Sequence, residues 1–182
     1  MLYRRRQGGI YRFALQMSGC SQIAEDVTQE VFMELMRDPS RYDPARGSLS
    51  AYLYGIARNH VLRRLRSERN YVPLAEAEEE DGAVADGSLI AADDPLGDLT
   101  RNEKIEALRR AVLALPEHYR EVVALCDLHE MSYAEVADAL DCSVGTIRSR
   151  LHRGRALLAD KMRAARGEEA APQAANPARC LA

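Results

Sequence analysis

Residues 131–158 read MSYAEVADALDCSVGTIRSRLHRGRALL, and this stretch decides the fold. Ser132 followed by Glu135 is a capping box, in which hydroxyl and carboxylate satisfy free N–H groups at a helix start. Val136, Ala137 and Leu140 give that helix, expected over 133–140, one apolar stripe. Asp141-Cys142 then makes a tight turn. Asp141 stands where glycine is common, and its short polar side chain tolerates a left-handed backbone. Ser143 is a good N-cap for a second helix over about 144–165. At about 100° per residue, Val144, Ile147, Leu151, Gly154 and Leu158 share one face of it. The opposite face carries Gly145, Thr146, Ser149, His152 and Arg153, with Arg148, Arg150 and Arg155 on its boundaries. A capped short helix, a tight turn and a helix with a small, polar, basic face predict a helix-turn-helix, whose second helix enters the major groove. Gly145 and Thr146 let the helix N-terminus approach a phosphate or base edge. Arg153 can reach guanine with two hydrogen bonds, while the flanking arginines hold phosphates. A merely solvated basic helix is the alternative, and the capped helix and turn before it weigh against that.

Outward from this motif the charge is partitioned. The chain has 182 residues and a formal net charge of −3. Residues 1–70 hold 12 basic and 7 acidic residues, residues 71–100 hold nine acids and no base, and residues 101–182 hold 13 bases and 12 acids. All the bases but Lys104 and Lys161 are arginines, whose planar forks suit phosphate. The acidic segment YVPLAEAEEEDGAVADGSLIAADDPLGDLT (71–100) has Pro, Gly and Asp but no periodicity, so it reads as a linker. The expected layout is a helical domain at 1–70, that linker at 71–100, a helix-turn-helix domain at 101–166 and a disordered tail at 167–182. The fold class is all-α, two small helical domains on a long tether. Helices are expected at about 2–18, 22–37 and 49–68 in the first block, and at about 101–114, 116–129, 133–140 and 144–165 in the second.

The first block offers two further surfaces. In AEDVTQEVFMELMR (24–37), Ala24, Val27, Val31 and Leu35 face inward with Phe32, while Asp26, Gln29, Glu30 and Met33 face out with Met36 nearby. Acids mixed with exposed methionine suit a protein partner better than DNA. In RYDPARGSLSAYLYGIARNHVLRRLRSER (41–69), Ser48 or Ser50 can cap a helix whose Leu53, Tyr54, Ala57 and Val61 face inward. Tyr52, Asn59, Arg63 and Arg66 line the outer side, with Ile56 at the edge. An aromatic can stack on an unpaired base, an amide can read a base edge, and guanidinium groups hold phosphates.

These residues resemble bacterial RNA polymerase sigma factors of the extracytoplasmic-function (ECF) group. AEDVTQEVF looks like their core-polymerase-binding helix, SLSAYLYGIARNHVLRRLR like the helix that melts and reads the −10 element, and 115–158 is similar to the region that reads the −35 element. The resemblance implies that Asp26, Gln29, Glu30, Phe32 and Met33 dock on core RNA polymerase. It implies that Arg46, Gly47, Ser48 and Leu49 shape a pocket for a flipped base, beside Tyr52, Asn59, Arg63 and Arg66 on the −10 strand. Ser143, Gly145, Thr146, Arg148, Ser149, His152, Arg153 and Arg155 would then face the −35 element of promoter DNA. An anti-sigma factor that restrains the protein is a further implied partner. Two departures stand out: Tyr52 replaces the usual Trp, and the first helix begins abruptly at Met1-Leu2-Tyr3, short of the usual N-terminal turns.

Other classes fit less well. A stand-alone helix-turn-helix regulator would leave the docking helix and the Tyr52 stripe without a role. No Gly-rich phosphate loop, metal-ligand spacing or nucleophile motif suggests an enzyme or a cofactor. Cys126 and His129 lie three apart, but a structural zinc needs four ligands. Cys20, Cys126, Cys142 and Cys180 form no disulfide framework, and no long apolar run or export signal is present, so a reducing cytoplasm is expected without membrane insertion. The nine linker acids are expected to wrap the chain's own basic helices when polymerase is absent.

Overall fold

Gly19 closes the first helix. Its φ of 75° turns its N–H onto the Leu15 carbonyl at 2.8 Å, a left-handed closure that glycine reaches without strain. The computed structural model describes residues 2–70 and 95–165. Helix α1 (Leu2–Ser18) buries Ile10, Phe13, Ala14 and Met17, a three-and-four spacing that keeps them on one face. Helix α2 (Ser21–Arg37) returns against it and buries Ile23, Ala24, Val27, Val31 and Phe32. The buried Thr28 hydroxyl donates to the Ala24 carbonyl at 2.7 Å, so its polar atom is satisfied inside the core. A single 3₁₀ turn (Pro39–Arg41) and a loop lead to α3 (Leu49–Asn70). Of the two candidate caps Ser48 is the one used, accepting the Ala51 N–H at 3.1 Å. Leu53, Ala57 and Val61 complete the core of this three-helix module. The Phe13 and Tyr54 rings meet edge to face at 5.5 Å.

The second module has α4 (Pro95–Leu113), α5 (Glu117–Val123), α6 (Tyr133–Leu140) and α7 (Val144–Ala165). Two expectations need correction. Helix α4 starts at Pro95 rather than at 101, because proline fits a first helical turn, where its missing N–H has no intrahelical partner to lose. The helix expected over 116–129 stops being α-helical at Val123 and widens into a π turn (Ala124–Leu128), with the His129 N–H on the Ala124 carbonyl at 3.0 Å. Residues 71–94 of the acidic segment and the tail at 167–182 lie outside the described residues, as does the expected wrapping by the linker.

A long tether alone predicts two separate domains, but the modules touch. Glu121 of α5, only 2% exposed, accepts from Arg58 Nε of α3 at 2.6 Å and is also approached by Arg150 Nη1 of α7 at 3.4 Å. Ser48 donates to Glu135 Oε1 at 3.0 Å. The Tyr54 hydroxyl donates to His129 Nδ1 and His129 Nε2 donates to Gln16 Oε1, both at 3.0 Å. Arg120 of α5 donates to the carbonyls of Met17 and Leu113, and to that of Leu115 at 2.9 Å. Gly55 lets α3 and α6 approach, since a Cβ there would lie 3.2 Å from the Ala139 carbonyl oxygen.

Candidate nucleic-acid interface

The helix-turn-helix forms from the local signals that announced it. Ser132 Oγ accepts the Glu135 N–H at 3.3 Å while Glu135 Oε2 accepts the Ser132 N–H at 3.1 Å. This bonding, with Ser132 the largest contributor, holds the Glu135 carboxyl below its ordinary pKa. Asp141 takes the left-handed turn at φ 50°. Ser143 caps α7 by accepting the Thr146 N–H at 3.1 Å. Ile147, Leu151 and Gly154 are buried. A Cβ on Gly154 would meet Val123 Cγ2 at 2.9 Å, so α5 and α7 pack closely there because that side chain is missing.

Beyond that buried face, Ser143, Gly145, Arg148, Ser149, His152 and Arg153 are exposed, and Thr146 is half-buried with its hydroxyl 2.9 Å from that of Ser143. The boundary arginines are tied down. Arg150 turns to Glu121, and Arg155 makes a two-bond pair with Asp127 at 3.0 and 2.5 Å, which raises its pKa further. Arg155 is thus braced against the π turn that follows α5, at the edge of the face rather than extended from it.

The surface around α3 is built on a loop. Asp43 Oδ1 accepts the Ala45 N–H at 2.9 Å, and the Arg46 N–H reaches the Asp43 carbonyl at 3.0 Å, folding the chain into a tight turn. Arg46 is exposed; Gly47, Ser48 and Leu49 are half-buried. The Tyr42 and Tyr52 rings stand 5.5 Å apart in a cleft of about 520 Å³. Tyr52 is half-buried there rather than on an open stripe, and Ile56, expected at the edge, is buried. Asn59 and Arg66 are exposed. Arg63 leans back toward α2, its Nη2 2.7 Å from His60 Nδ1 and 3.6 Å from Glu30 Oε2.

On α2 the expected docking residues divide. Gln29 is exposed, Met33 is 53% exposed and Met36 71%. Asp26 and Glu30 line the same edge but share Arg64, at 2.8 and 2.7 Å. Burial works against the Glu30 carboxylate; the bond and charge of Arg64, with His60 and Arg63, overcome it and hold its pKa below the ordinary value. Phe32 is a correction. It is 5% exposed and packs edge-on against Tyr3 at 4.9 Å, so it supports the face from beneath.

Sequence reasoning missed Glu121, Arg58 and the Tyr54–His129–Gln16 chain, which join the modules. One signal was present: Glu121 is a lone carboxylate flanking the apolar run VVAL. Cys126, by contrast, is inert, its thiol pushed up to about 11 by burial and by Asp127.

Together these faces define a two-module helical protein of the helix-turn-helix, DNA-reading class. A family model described as Sigma-70 region 2 matches residues 2–71, and one described as Sigma-70, region 4 matches residues 105–158. The ECF RNA polymerase sigma factor SigE of Mycolicibacterium smegmatis is 34% identical over 87% of this chain, which spans 59% of that relative's length. SigW of Bacillus subtilis is 32% identical, with 85% of this chain and 83% of the relative aligned. The chain belongs to the ECF RNA polymerase sigma factors, a family that directs promoter-specific transcription initiation. The fold is also that of the sigma factor RpoE solved with the anti-sigma factor NepR from Bartonella quintana, at a TM-score of 0.65, 21% identity and coverage of 86% and 91% of the two chains. Among the described residues no helix is long and apolar enough to cross a membrane.

Proposed function

We propose that this chain binds core RNA polymerase in the cytoplasm and brings it to promoters by reading two DNA elements, each with one module. The observation that carries this reading is the face of α7. Buried Ile147, Leu151 and Gly154 fix its rotation, so that Arg148, Ser149, His152 and Arg153 project together from the side away from the core. In this reading that face, with Ser143, Gly145 and Thr146 at its start and Arg155 at its edge, meets the −35 element. The loop from Arg46 to Leu49, with Tyr52, Asn59, Arg63 and Arg66, meets the −10 element. Gln29, Met33 and the Asp26–Glu30 edge of α2 dock on polymerase. An anti-sigma factor is proposed as the restraining partner; the similar RpoE is solved in complex with the anti-sigma factor NepR.

Transcription from a promoter library by core polymerase, with and without the chain, tests the assignment. Arg153→Ala is expected to relax preference at one or two −35 positions by about 1–3 kcal/mol, roughly five- to 150-fold. Arg148→Ala, at an exposed arginine with no ion pair among the described residues, is expected to weaken all promoters alike and to flatten the salt dependence by about one unit. Asn59→Ala is expected to alter −10 preference alone. If Arg153→Ala changes −10 preference, or Asn59→Ala only −35 preference, the two surfaces are wrongly assigned.

A further inference from the structure

One histidine of α3 stands between the two surfaces of the first module. His60, its side chain 11% exposed, lies where Asp26, Glu30 and Glu34 of α2 meet Arg63 and Arg64 of α3 and Arg41 of the 3₁₀ turn. We propose that His60 is a positioning residue for Arg63: neutral, it holds the guanidinium group against α2, and protonated, it releases that group toward a DNA phosphate. The proposal rests on the reading of Arg63 as part of the −10 surface.

Two groups make incompatible claims on one ring nitrogen. Arg63 Nη2 lies 2.7 Å from His60 Nδ1, where only a lone pair can accept its N–H. Glu30 Oε2 lies 2.6 Å from the same Nδ1, where only an N–H can satisfy it. On the other side Nε2 stands 3.0 Å from Glu34 Oε2, and a carboxylate only accepts, so the single proton of the neutral ring sits there. Nδ1 is then the acceptor for Arg63, and Glu30 Oε2 is left as a buried acceptor without a hydrogen bond. A second proton reverses the arrangement. The imidazolium donates to Glu30 from Nδ1 and to Glu34 from Nε2, satisfies the buried oxygen and sets a like charge beside Arg63. Arg63 keeps only Glu30, at 3.6 Å, and its side chain is 68% exposed, with room to swing outward. Arg64 does not follow, because Asp26 and Glu30 fasten it at 2.8 and 2.7 Å. Histidine ordinarily gains its second proton between about pH 5 and 8, so the exchange needs no extreme condition.

The test is fluorescence anisotropy of a random-sequence single-stranded DNA dodecamer on the full-length chain, titrated with salt at about pH 8 and about pH 6. Release adds one phosphate contact, so the wild type is expected to bind about two- to fivefold more tightly at the lower pH, with a salt slope steeper by about 0.7. His60→Gln offers Arg63 an amide oxygen but gains no proton, and it is expected to lose this increment. Arg63→Gln keeps the histidine and is expected to lose the increment too. His118, His129 and His152 titrate alike in all three chains, so only differences between the chains are read. No increment in the wild type overturns the proposal. An equal increment in His60→Gln, which assigns it to another group, or in Arg63→Gln, which assigns it to the imidazolium charge itself, overturns it as well. Arg63 is exposed, so its variant carries the test if His60→Gln fails to fold. Arg63→Gln in the library transcription assay separates this from the underlying reading. If transcription is unchanged, the assignment of Arg63 to the −10 surface falls; if transcription drops while the anisotropy comparisons fail, only the positioning by His60 falls.

Discussion

Acidification is expected to loosen this protein through His129. The ring is held neutral, with Nδ1 accepting from Tyr54 and Nε2 donating to Gln16. Burial, and after it the charge of Arg12, lowers its pKa from an ordinary 6.5 to about 4. Protonation turns Nδ1 into a donor and places an imidazolium in a cleft lined by Arg5, Arg6 and Arg12, with Glu130 as the facing acid. Because the folded pKa is the lower one, the stability contributed by neutral His129 is complete above the unfolded value of 6.5 and is lost as pH falls toward 4. Proton linkage over that interval gives about 2 kcal/mol at about pH 5, and screening of the partly exposed ring brings the expected figure to about 1–2 kcal/mol. For a chain of this size that lowers Tm by roughly 2–8 °C.

The assay is a pair of circular dichroism melts, at about pH 7.5 and about pH 5, on wild type and His129→Gln. The variant has no proton to gain, and every other group is common to both chains, so the difference in pH dependence belongs to His129. Glu30 and Glu135, whose folded pKa values are lowered, lose their contribution only as pH falls through and below 4.5, outside the interval. If both proteins lose the same stability, the ring is not held neutral between the modules and the reasoning fails.

Gln29→Arg is expected to weaken the complex with core polymerase while leaving the melt unchanged, since Gln29 is exposed on α2; a collapsed melt with unchanged affinity would show the wrong face was chosen. Asp26→Arg is a poorer probe because it also strips Arg64 of a partner at 2.8 Å. Leu151→Ala, at a side chain 2% exposed, is expected to cost about 2–5 kcal/mol, read by denaturant titration. A cost near zero would put the rotation of α7, and with it the set of DNA-facing residues, in error.

The bounds of α1, α6 and α7 were legible because each begins or ends on a local device: a glycine closure, a capping box, a serine cap. Such devices act over four residues and need no partner elsewhere. The π turn after Val123 was not legible, since it carries no local motif of this kind. Ile56 was misplaced at the edge because a helical wheel assigns a face but not the neighbour that covers it; Phe32 was read inward by the same wheel, and only the resemblance put it on the docking face. Contact between the modules was the largest omission. Each of Ser48, Arg58, Glu121 and His129 reads as an ordinary polar surface residue within its own module, and only the two surfaces together reveal a partner.

The arginine count suggested more DNA contacts than the structure leaves free, and the difference bears on specificity. Arg64 is taken by Asp26 and Glu30, Arg58 and Arg150 by Glu121, and Arg155 by Asp127. On α7, Arg148 and Arg153 have no carboxylate partner among the described residues. Each phosphate contact adds affinity for any sequence, while a bidentate base contact adds it for one. Pairing the boundary arginines internally therefore removes affinity that would have been indiscriminate. On the proposed reading of this face, it leaves Arg153, near the centre of the exposed side, as the cation whose contribution would depend on which base it meets. A sigma factor must leave the great excess of non-promoter DNA unbound, and internal neutralisation at the edges of the reading helix serves that end without altering the helix itself.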